Sequence, residues 1–163
     1  MPIAYEIRSY RDADLPDLRR MVLGLQEAEC GMDQTRARWA DGGAAYADWM
    51  LDEVAANAGA VFMAVAPDGA AIGMVSCWRA EDPTDITASP GARIHLYVSD
   101  IFVIESFRGQ NVAGALLAVA EGHGRSLGLQ QMTIGLLAVN HAARRAYEKS
   151  GFLDYELLLR KRL

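Results

Sequence analysis

The feature that most limits the fold of this 163-residue chain is a long β-type run that passes through a short turn directly into a helix. Residues 93–105 read RIHLYVSDIFVIE and are rich in β-branched and aromatic side chains, and residues 105–117 follow as ESFRGQNVAGALL. Apolar positions from Val112 to Leu127 recur at helical spacing, and residues 130–139, QQMTIGLLAV, return to a β-type pattern. This order predicts two parallel strands joined by a helical crossover.

The remaining elements predict antiparallel strands and further helices. Residues 3–10 alternate as a first strand, Asp14 can cap the helix that follows, and residues 33–57 predict a helix in two pieces broken at 41–43. Residues 60–67 and 70–78 predict a hairpin, because Asp68-Gly69 favours a tight turn. Residues 141–150 predict a last helix ended by Gly151, and residues 152–163 predict a final strand.

This order of elements describes an α/β sandwich with a mixed central sheet of six to seven strands and about four helices. The sheet is expected to be antiparallel in its N-terminal half. A chain of this length, with 52% apolar and 23% charged residues, is typical of one compact globular domain. Residues 1–163 are therefore expected to form a single domain.

Composition also limits the partners. No apolar run approaches the ~20 residues of a membrane span, and the N-terminus lacks the pattern of a signal peptide, so a cytoplasmic protein without a membrane partner is expected. The net charge of −5 argues against nucleic acid, which requires clustered basic residues. Cys30 and Cys77 lack metal-ligand spacing and predict two reduced thiols and no metal.

The turn after the long strand has the chemistry of an anion site. Arg108 and Gly109 precede the start of a helix, where free amide groups and the positive end of the helix dipole favour a phosphate. Taken alone, such a turn is equally compatible with a strand-to-helix connection that has no role in binding. Another glycine cluster, Gly122, Gly124 and Gly128, lies at the end of a predicted helix and is interpreted as its termination, not as a dinucleotide fingerprint.

A second motif follows in the expected order, since Asn140, Ala143, Tyr147, Gly151 and Phe152 open and close the last helix. With Ile101, Val103, Arg108, Gly109 and Ala113 they make residues 94–152 resemble the GNAT superfamily of N-acetyltransferases. The resemblance implies acetyl-CoA as co-substrate and a single GNAT domain. It implies that these residues bind the cofactor: Ile101, Phe102, Val103, Arg108, Gly109, Gln110, Asn111, Val112, Ala113, Gly114, Asn140, Ala143 and Tyr147.

One position departs from the family pattern, because Asn111 stands where the phosphate loop usually has its middle glycine. Asparagine tolerates the left-handed backbone better than other non-glycine residues, so the turn is expected to persist. The Asn111 side chain is nevertheless expected to lie near the pyrophosphate, so it is expected to affect the affinity for the cofactor.

Tyr147 is the candidate general acid, since a phenol stays protonated at neutral pH and can protonate a departing thiolate. The alternative is a core tyrosine. Asp100 is the candidate base. The polyamine N-acetyltransferases, which this stretch resembles, carry two adjacent carboxylates here, whereas this chain has Ser99 in place of the first. The alternative for Asp100 is a structural or substrate-charge role. The lesser candidates are Glu105, His95 and Tyr97, whereas His123 and His141 are expected on helix surfaces or ends.

These observations predict an N-acetyltransferase that acts on a primary amine of a small molecule or peptide by direct attack. The alternative is a GNAT-like module that binds acyl-CoA with little turnover, suggested by Asn111 and by the missing first carboxylate. Acidic stretches at residues 27–33 and 81–85 favour a cationic acceptor without naming it. The apolar C-terminal run can pair with the sheet edge of a second copy, which would give a homodimer.

Overall fold

The computed structural model of the chain describes residues 4–38, 43–82, 89 and 91–161. Within them the helices are α1 (Leu15–Met32), α2 (Gly43–Ala56), α3 (Val112–Ser126) and α4 (His141–Lys149). The strands are β1 (Glu6–Ser9), β2 (Ala60–Val65), β3 (Ala71–Glu81), β4 (Ile94–Val103) and β5 (Met132–Ile134). In this described part, no helix is both long enough and apolar enough to cross a membrane.

The strands form one mixed sheet in the order β1-β2-β3-β4-β5. Neighbours from β1 to β4 are antiparallel, and β4 and β5 are the parallel pair that α3 connects. The predicted α/β sandwich with four helices is confirmed. The described residues form five strands rather than six or seven, because residues 153–160 of the predicted final strand make no backbone ladder and lie exposed.

Both faces of the sheet are covered, which explains why its central strands are almost continuously apolar. Along β2, Met63 faces the core shared with α1 and α2, whereas the next residue, Ala64, faces the core shared with α3. Met74 and Val75 alternate in the same way on β3. Within the described residues, helices therefore pack on both faces of the sheet around β4, and β4 is uncovered only at the end of its pairing with β5.

The helical prediction for residues 33–57 is correct only in its second half. α1 ends at Met32, and the Asp33 carboxylate accepts hydrogen bonds from the Thr35 amide at 3.0 Å and its hydroxyl at 2.8 Å. This local turn competes with helical hydrogen bonding, so residues 33–38 are irregular. Residues 41–42 of the predicted break lie outside the described residues, as do residues 83–85 of the acidic stretch.

The predicted hairpin turn is confirmed, since Gly69 adopts a φ of 87° between β2 and β3. A feature that the sequence did not predict is a β-bulge at Ser99. Asp100 pairs with Ser76, but the neighbouring Cys77 pairs with Val98, which leaves Ser99 as the extra residue of β4. A bulge bends its strand and increases the local twist. β4 therefore changes direction just before its last four residues.

Candidate active site

The bulge opens the sheet at the point where a ligand can enter. β5 pairs with β4 only from Leu96 to Val98, and the Val98–Ile134 pair is the last. Ile101, Phe102 and Val103 continue to pair with β3 on their other side. The backbone groups that these three residues direct toward β5 lack a ladder partner there. An extended ligand can hydrogen-bond to them as an added strand does.

A tight loop joins β4 to α3. A 3-10 turn at Glu105–Phe107 is followed by Gly109 with a φ of 76° and Asn111 with a φ of 62°. The Ala115 amide donates to the Asn111 carbonyl at 3.0 Å, so the helical hydrogen bonds begin there. The amides of the first turn, Val112 to Gly114, precede these bonds and point outward at the positive end of the helix. This is the geometry of an anion site.

Arg108 is folded back onto the end of β4. Its Nε donates to the Val103 carbonyl at 3.0 Å, and its guanidinium carbon lies 5.7 Å from the centre of the Phe102 ring. The side chain thus pins the loop to the strand. Its two terminal nitrogens make no hydrogen bond with the described residues and remain available to a phosphate oxygen.

Asn111 adopts the left-handed conformation that the sequence led us to expect of a glycine substitute. Its side chain folds over the first turn of α3, so that a Cβ atom added to Gly114 would collide with the Asn111 Oδ1. Because glycine has no Cβ atom, Gly114 leaves the space that the Asn111 side chain occupies. The side-chain carbonyl oxygen of Asn111 therefore lies at the turn whose N–H groups form the anion site.

The second motif sets the limits of α4. The Asn140 Oδ1 accepts a hydrogen bond from the Ala143 amide at 3.0 Å and caps the N-terminus, so the structure gives Asn140 a capping contact that the resemblance did not specify. At the other end Gly151 has a φ of 89°, and the Phe152 amide donates to the Tyr147 carbonyl at 3.0 Å. Both caps fix the helical turn that carries Tyr147.

Tyr147 is half-buried, with its ring centre 6.0 Å from that of Phe152. Its hydroxyl makes no hydrogen bond with the described residues, although the side chain lines a cleft. Burial, and then the negative charges of Glu29 and Asp100, raise the pKa of Tyr147 to about 12. The phenol therefore keeps its proton throughout the neutral range.

Asp100 lies on the other side of β4, toward α2, and is only 5% exposed. Its carboxylate accepts hydrogen bonds from the Ser99 hydroxyl, from the Tyr46 hydroxyl at 3.0 Å and from the Ser76 hydroxyl at 3.2 Å. Burial raises the pKa of Asp100, and the three hydroxyl bonds oppose that rise. A carboxylate so enclosed is suited to act as a fixed charge more than as a group that touches the acceptor.

Glu29, near the end of α1, is a half-buried carboxylate that sequence reasoning did not single out. Burial raises its pKa, while Arg36, whose Nε lies 3.6 Å from the carboxylate, opposes the rise and Asp100 adds to it. The charge of Glu29 in turn raises the pKa of Tyr97 and Tyr147. The acidic composition of residues 27–33 was the only signal, and it did not separate Glu29 from its neighbours.

The lesser candidates for the general base lie in different parts of the fold. His95 is buried in β4, Glu105 is exposed on the turn before the loop, and Tyr97 is half-buried with its ring 5.3 Å from that of Trp78. His123 bonds to the Ala58 carbonyl at 2.9 Å from the side of α3, and His141 is exposed at the start of α4. Both agree with the helix-surface interpretation.

A cleft of 2120 Å³ is lined by some of these residues. It reaches from Asn111 and Gly114 at the loop, past Tyr97, to Tyr147, and residues 153–160 line its far side. The fold and the cleft define an α/β protein with a helix N-terminus beside an opened strand. The chain belongs to the acetyltransferase (GNAT) family, whose sequence pattern matches residues 25–152.

The chain is also similar to other proteins, by sequence and by structure. The uncharacterized N-acetyltransferase YycN of Bacillus subtilis is 30% identical over 67 residues, which cover 41% of this chain and 43% of that protein. The match thus spans less than half of either chain.

Solved structures share the fold. A mutant of the BH1408 protein from Bacillus halodurans has a TM-score of 0.83 at 16% identity, covering 97% of this chain and 99% of that one. The aminoglycoside N-acetyltransferase AAC(6')-Iy, bound to a bisubstrate analogue of CoA, has a TM-score of 0.71 at 23% identity, covering 98% of each chain. The 6'-N-acetyltransferase AAC(6')-Ih of Acinetobacter baumannii also reaches 0.71, at 13% identity and 98% coverage of both chains.

Proposed function

We propose that this protein transfers the acetyl group of acetyl-CoA to a primary amine by direct attack. The observation that carries the proposal is the single cleft that joins the anion site at Asn111 and Gly114 to the Tyr147 hydroxyl. The pyrophosphate binds the amides of the first turn of α3, with Arg108 as a charged donor. The pantetheine arm lies along Ile101 to Val103, which brings the thioester toward Tyr147.

In the reaction, the neutral amine nitrogen attacks the thioester carbonyl, the carbon–sulfur bond breaks, and the proton that the nitrogen loses returns through water to the Tyr147 oxygen. The Tyr147 hydroxyl donates its proton to the sulfur of CoA, which leaves as a thiol. The phenol still carries its proton when the thiolate forms, because burial holds its pKa above the neutral range. Holding both reactants in one cleft supplies the proximity that the reaction requires.

The acceptor we propose is a cationic small-molecule or peptide amine. Glu29 and Asp100 do not line the cleft, but after burial their negative charges are the next causes that raise the pKa of Tyr97 and Tyr147, which do line it. A negative potential at the two phenols favours a cationic amine. Two of the similar structures act on aminoglycosides by their names, which are amines of this charge type. Polyamines belong to the same chemical class.

The second candidate is a module that binds acyl-CoA and turns it over poorly. Asn111 favours it, because its side chain covers the first turn of α3. Turnover with a panel of amines separates the candidates, since the module would bind cofactor and release no CoA thiol with any of them.

The mechanism is tested by Tyr147→Phe, which keeps the ring and removes only the hydroxyl. We expect kcat for release of CoA thiol to fall by roughly 10²–10⁴-fold, the usual contribution of a positioned acid. Because the hydroxyl has no partner among the described residues, stability should change by less than about 0.5 kcal/mol.

The matched control is Tyr10→Phe, another half-buried tyrosine, which packs against the core under α1 and α2 and does not line the cleft. It should leave kcat unchanged. A kcat for the Tyr147 variant within about threefold of the parent would exclude Tyr147 as the acid. A large fall in its melting temperature would instead favour the core-tyrosine interpretation.

A further inference from the structure

The side chain of Phe102 lies on the α1 face of the sheet, unlike those of its two neighbours on β4. It packs against the core shared with α1 and α2, whereas Ile101 and Val103 contact the core shared with α3. The ring is half-buried at the end of β4, shortly before the loop that carries Arg108. It therefore stands between a helix of one layer and the loop that begins the helix of the other.

One end of the ring is in contact with the backbone of α1. A Cβ atom added to Gly24 would lie 2.8 Å from the Cζ atom of Phe102, and 3.2 and 3.3 Å from its two Cε atoms. Nonbonded carbon atoms pack at about 3.5–4.0 Å, so an alanine at this position has to displace the ring. Glycine in a helix interior is less stable than alanine, yet α1 has a glycine where the ring meets it. Gly24 therefore forms the surface of α1 on which the ring packs.

The ring is also in contact with Arg108. The guanidinium carbon lies 5.7 Å from the ring centre, within the about 6 Å of a cation–π interaction. The Nε atom donates to the Val103 carbonyl at 3.0 Å, so two groups of β4 hold the guanidinium. A long side chain that moves freely in solution loses conformational entropy when a ligand fixes it. A guanidinium that is held beforehand loses less, and the affinity for the ligand is higher.

We propose that Phe102 is a positioning residue for the cofactor. Its ring, packed against Gly24, holds the guanidinium of Arg108 in the orientation in which it binds a phosphate group of acetyl-CoA. This inference rests on the proposed function, because it takes Arg108 as a ligand of the phosphate. The ring acts through Arg108 and not by a contact of its own with the phosphate. α1 thereby influences the affinity for the cofactor although it lies outside the phosphate loop.

The first experiment is a double-mutant cycle measured by calorimetric titration with CoA. Phe102→Leu should raise the dissociation constant about 2- to 5-fold, which corresponds to the contribution of a cation–π interaction at an exposed site. In an Arg108→Ala background the same substitution should leave the dissociation constant unchanged, because the ring then has no guanidinium to hold. The control is Phe62→Leu, at a half-buried ring that contacts His123 and does not line the cleft, and it should not alter binding in either background.

The outcomes of the cycle distinguish this inference from the proposed function. If Arg108→Ala leaves the affinity for CoA unchanged, Arg108 is not a phosphate ligand, and both the loop assignment and the positioning role fail. If Arg108→Ala weakens binding but Phe102→Leu has no effect, or has the same effect in both backgrounds, only the positioning role is overturned. A purely structural role of Phe102 would lower the melting temperature without this dependence on Arg108.

The second experiment tests the contact with α1. Gly24→Ala should displace the ring and raise the dissociation constant for CoA about twofold or more. In a Phe102→Leu background, where the shorter side chain leaves room for the new methyl group, it should add no further loss. The matched control Gly31→Ala changes the same helix at a position where an added Cβ meets nothing within 4 Å, and it should leave binding unchanged. A Gly24→Ala variant that binds CoA as tightly as the parent would overturn the role of α1.

The third measurement needs no cofactor. The Nε–H resonance of Arg108, assigned in arginine-labelled protein by its loss in Arg108→Ala, should be displaced by the ring current of Phe102. The displacement should disappear in Phe102→Leu and persist in Phe62→Leu. An Arg108 resonance that is the same in the parent and in Phe102→Leu would overturn the contact, whether or not CoA binds as proposed.

Discussion

Replacing Asn111 by aspartate tests the position of the pyrophosphate directly. The two side chains have almost the same shape, and both tolerate the left-handed backbone that Asn111 adopts with a φ of 62°. The loop should therefore keep its form, while a full negative charge replaces an amide over the first turn of α3. If the pyrophosphate binds there, the new charge must repel it.

The size of the effect follows from Coulomb's law. Two charges about 5 Å apart interact by about 3 kcal/mol at an effective dielectric constant near 20, and by less than about 1 kcal/mol in bulk water. Asn111 is exposed, so we expect a loss between these limits, about 1–2 kcal/mol. The dissociation constant for CoA should then rise about 5- to 30-fold at low salt. Raising the salt concentration should reduce the difference.

Calorimetric titration with CoA at two salt concentrations measures this effect. The control Gln34→Glu adds the same net charge at an exposed position on the connection after α1 and should change the affinity little. Asn111→Gly removes the side chain without adding charge and should leave binding equal or tighter. An aspartate variant that binds as tightly as the parent, or a glycine variant that binds much more weakly, would refute this location for the pyrophosphate.

Two further variants test the loop and the fold. Arg108→Ala should weaken CoA binding by about 1.5–3 kcal/mol, because it removes a charged donor and the bond to Val103; unchanged affinity by calorimetry would exclude the assignment. Asp14→Asn should lower the free energy of unfolding by about 1–3 kcal/mol at pH 7, since Arg8 donates to this carboxylate at 2.7 and 2.8 Å. The hydrogen bond from Arg8 lowers the pKa of Asp14 in the folded protein. This stabilisation is therefore present at pH values above the ordinary pKa of 3.8, and it is lost as the pH falls through the lowered pKa. Denaturant titrations at several pH values should show the two proteins converging in acid, and a constant difference would contradict the ion pair.

The local backbone of the candidate site was predicted well. Arg108 and Gly109 marked the loop, Asn111 was expected in the left-handed region, and Gly151 was expected to end α4. Each of these inferences depends on the backbone of a few consecutive residues. Gly128 likewise follows α3 with a φ of 74°, as expected of a glycine that terminates a helix, whereas Gly122 and Gly124 lie within α3.

The parts that depend on distant contacts were not predictable. The bulge at Ser99 arises from the register between β3 and β4, which no pattern within β4 reveals. The burial of Asp100 and its bond to Tyr46 require α2 to pack under the sheet, 54 residues away along the chain. The prediction of a strand after Phe152 is wrong for the described residues: the apolar run has the composition of a strand, but a strand also needs a neighbour, and these residues supply none.

The two halves of the cleft therefore differ in how the sequence encodes them. The cofactor half is built from one continuous stretch, β4 through α4, in which helix ends and tight turns present backbone groups; few side chains are needed, so a short motif suffices to identify it. The charge that we propose for the acceptor comes from Glu29 on α1 and from Asp100, which Tyr46 of α2 contacts, and the spacing of these side chains carries no pattern. Substitutions at Glu29 would then alter the charge offered to an amine without touching the amides proposed to hold the cofactor. Such a separation would allow one cofactor site to serve different acceptors, and it is consistent with a sequence that indicates acetyl-CoA more clearly than the amine.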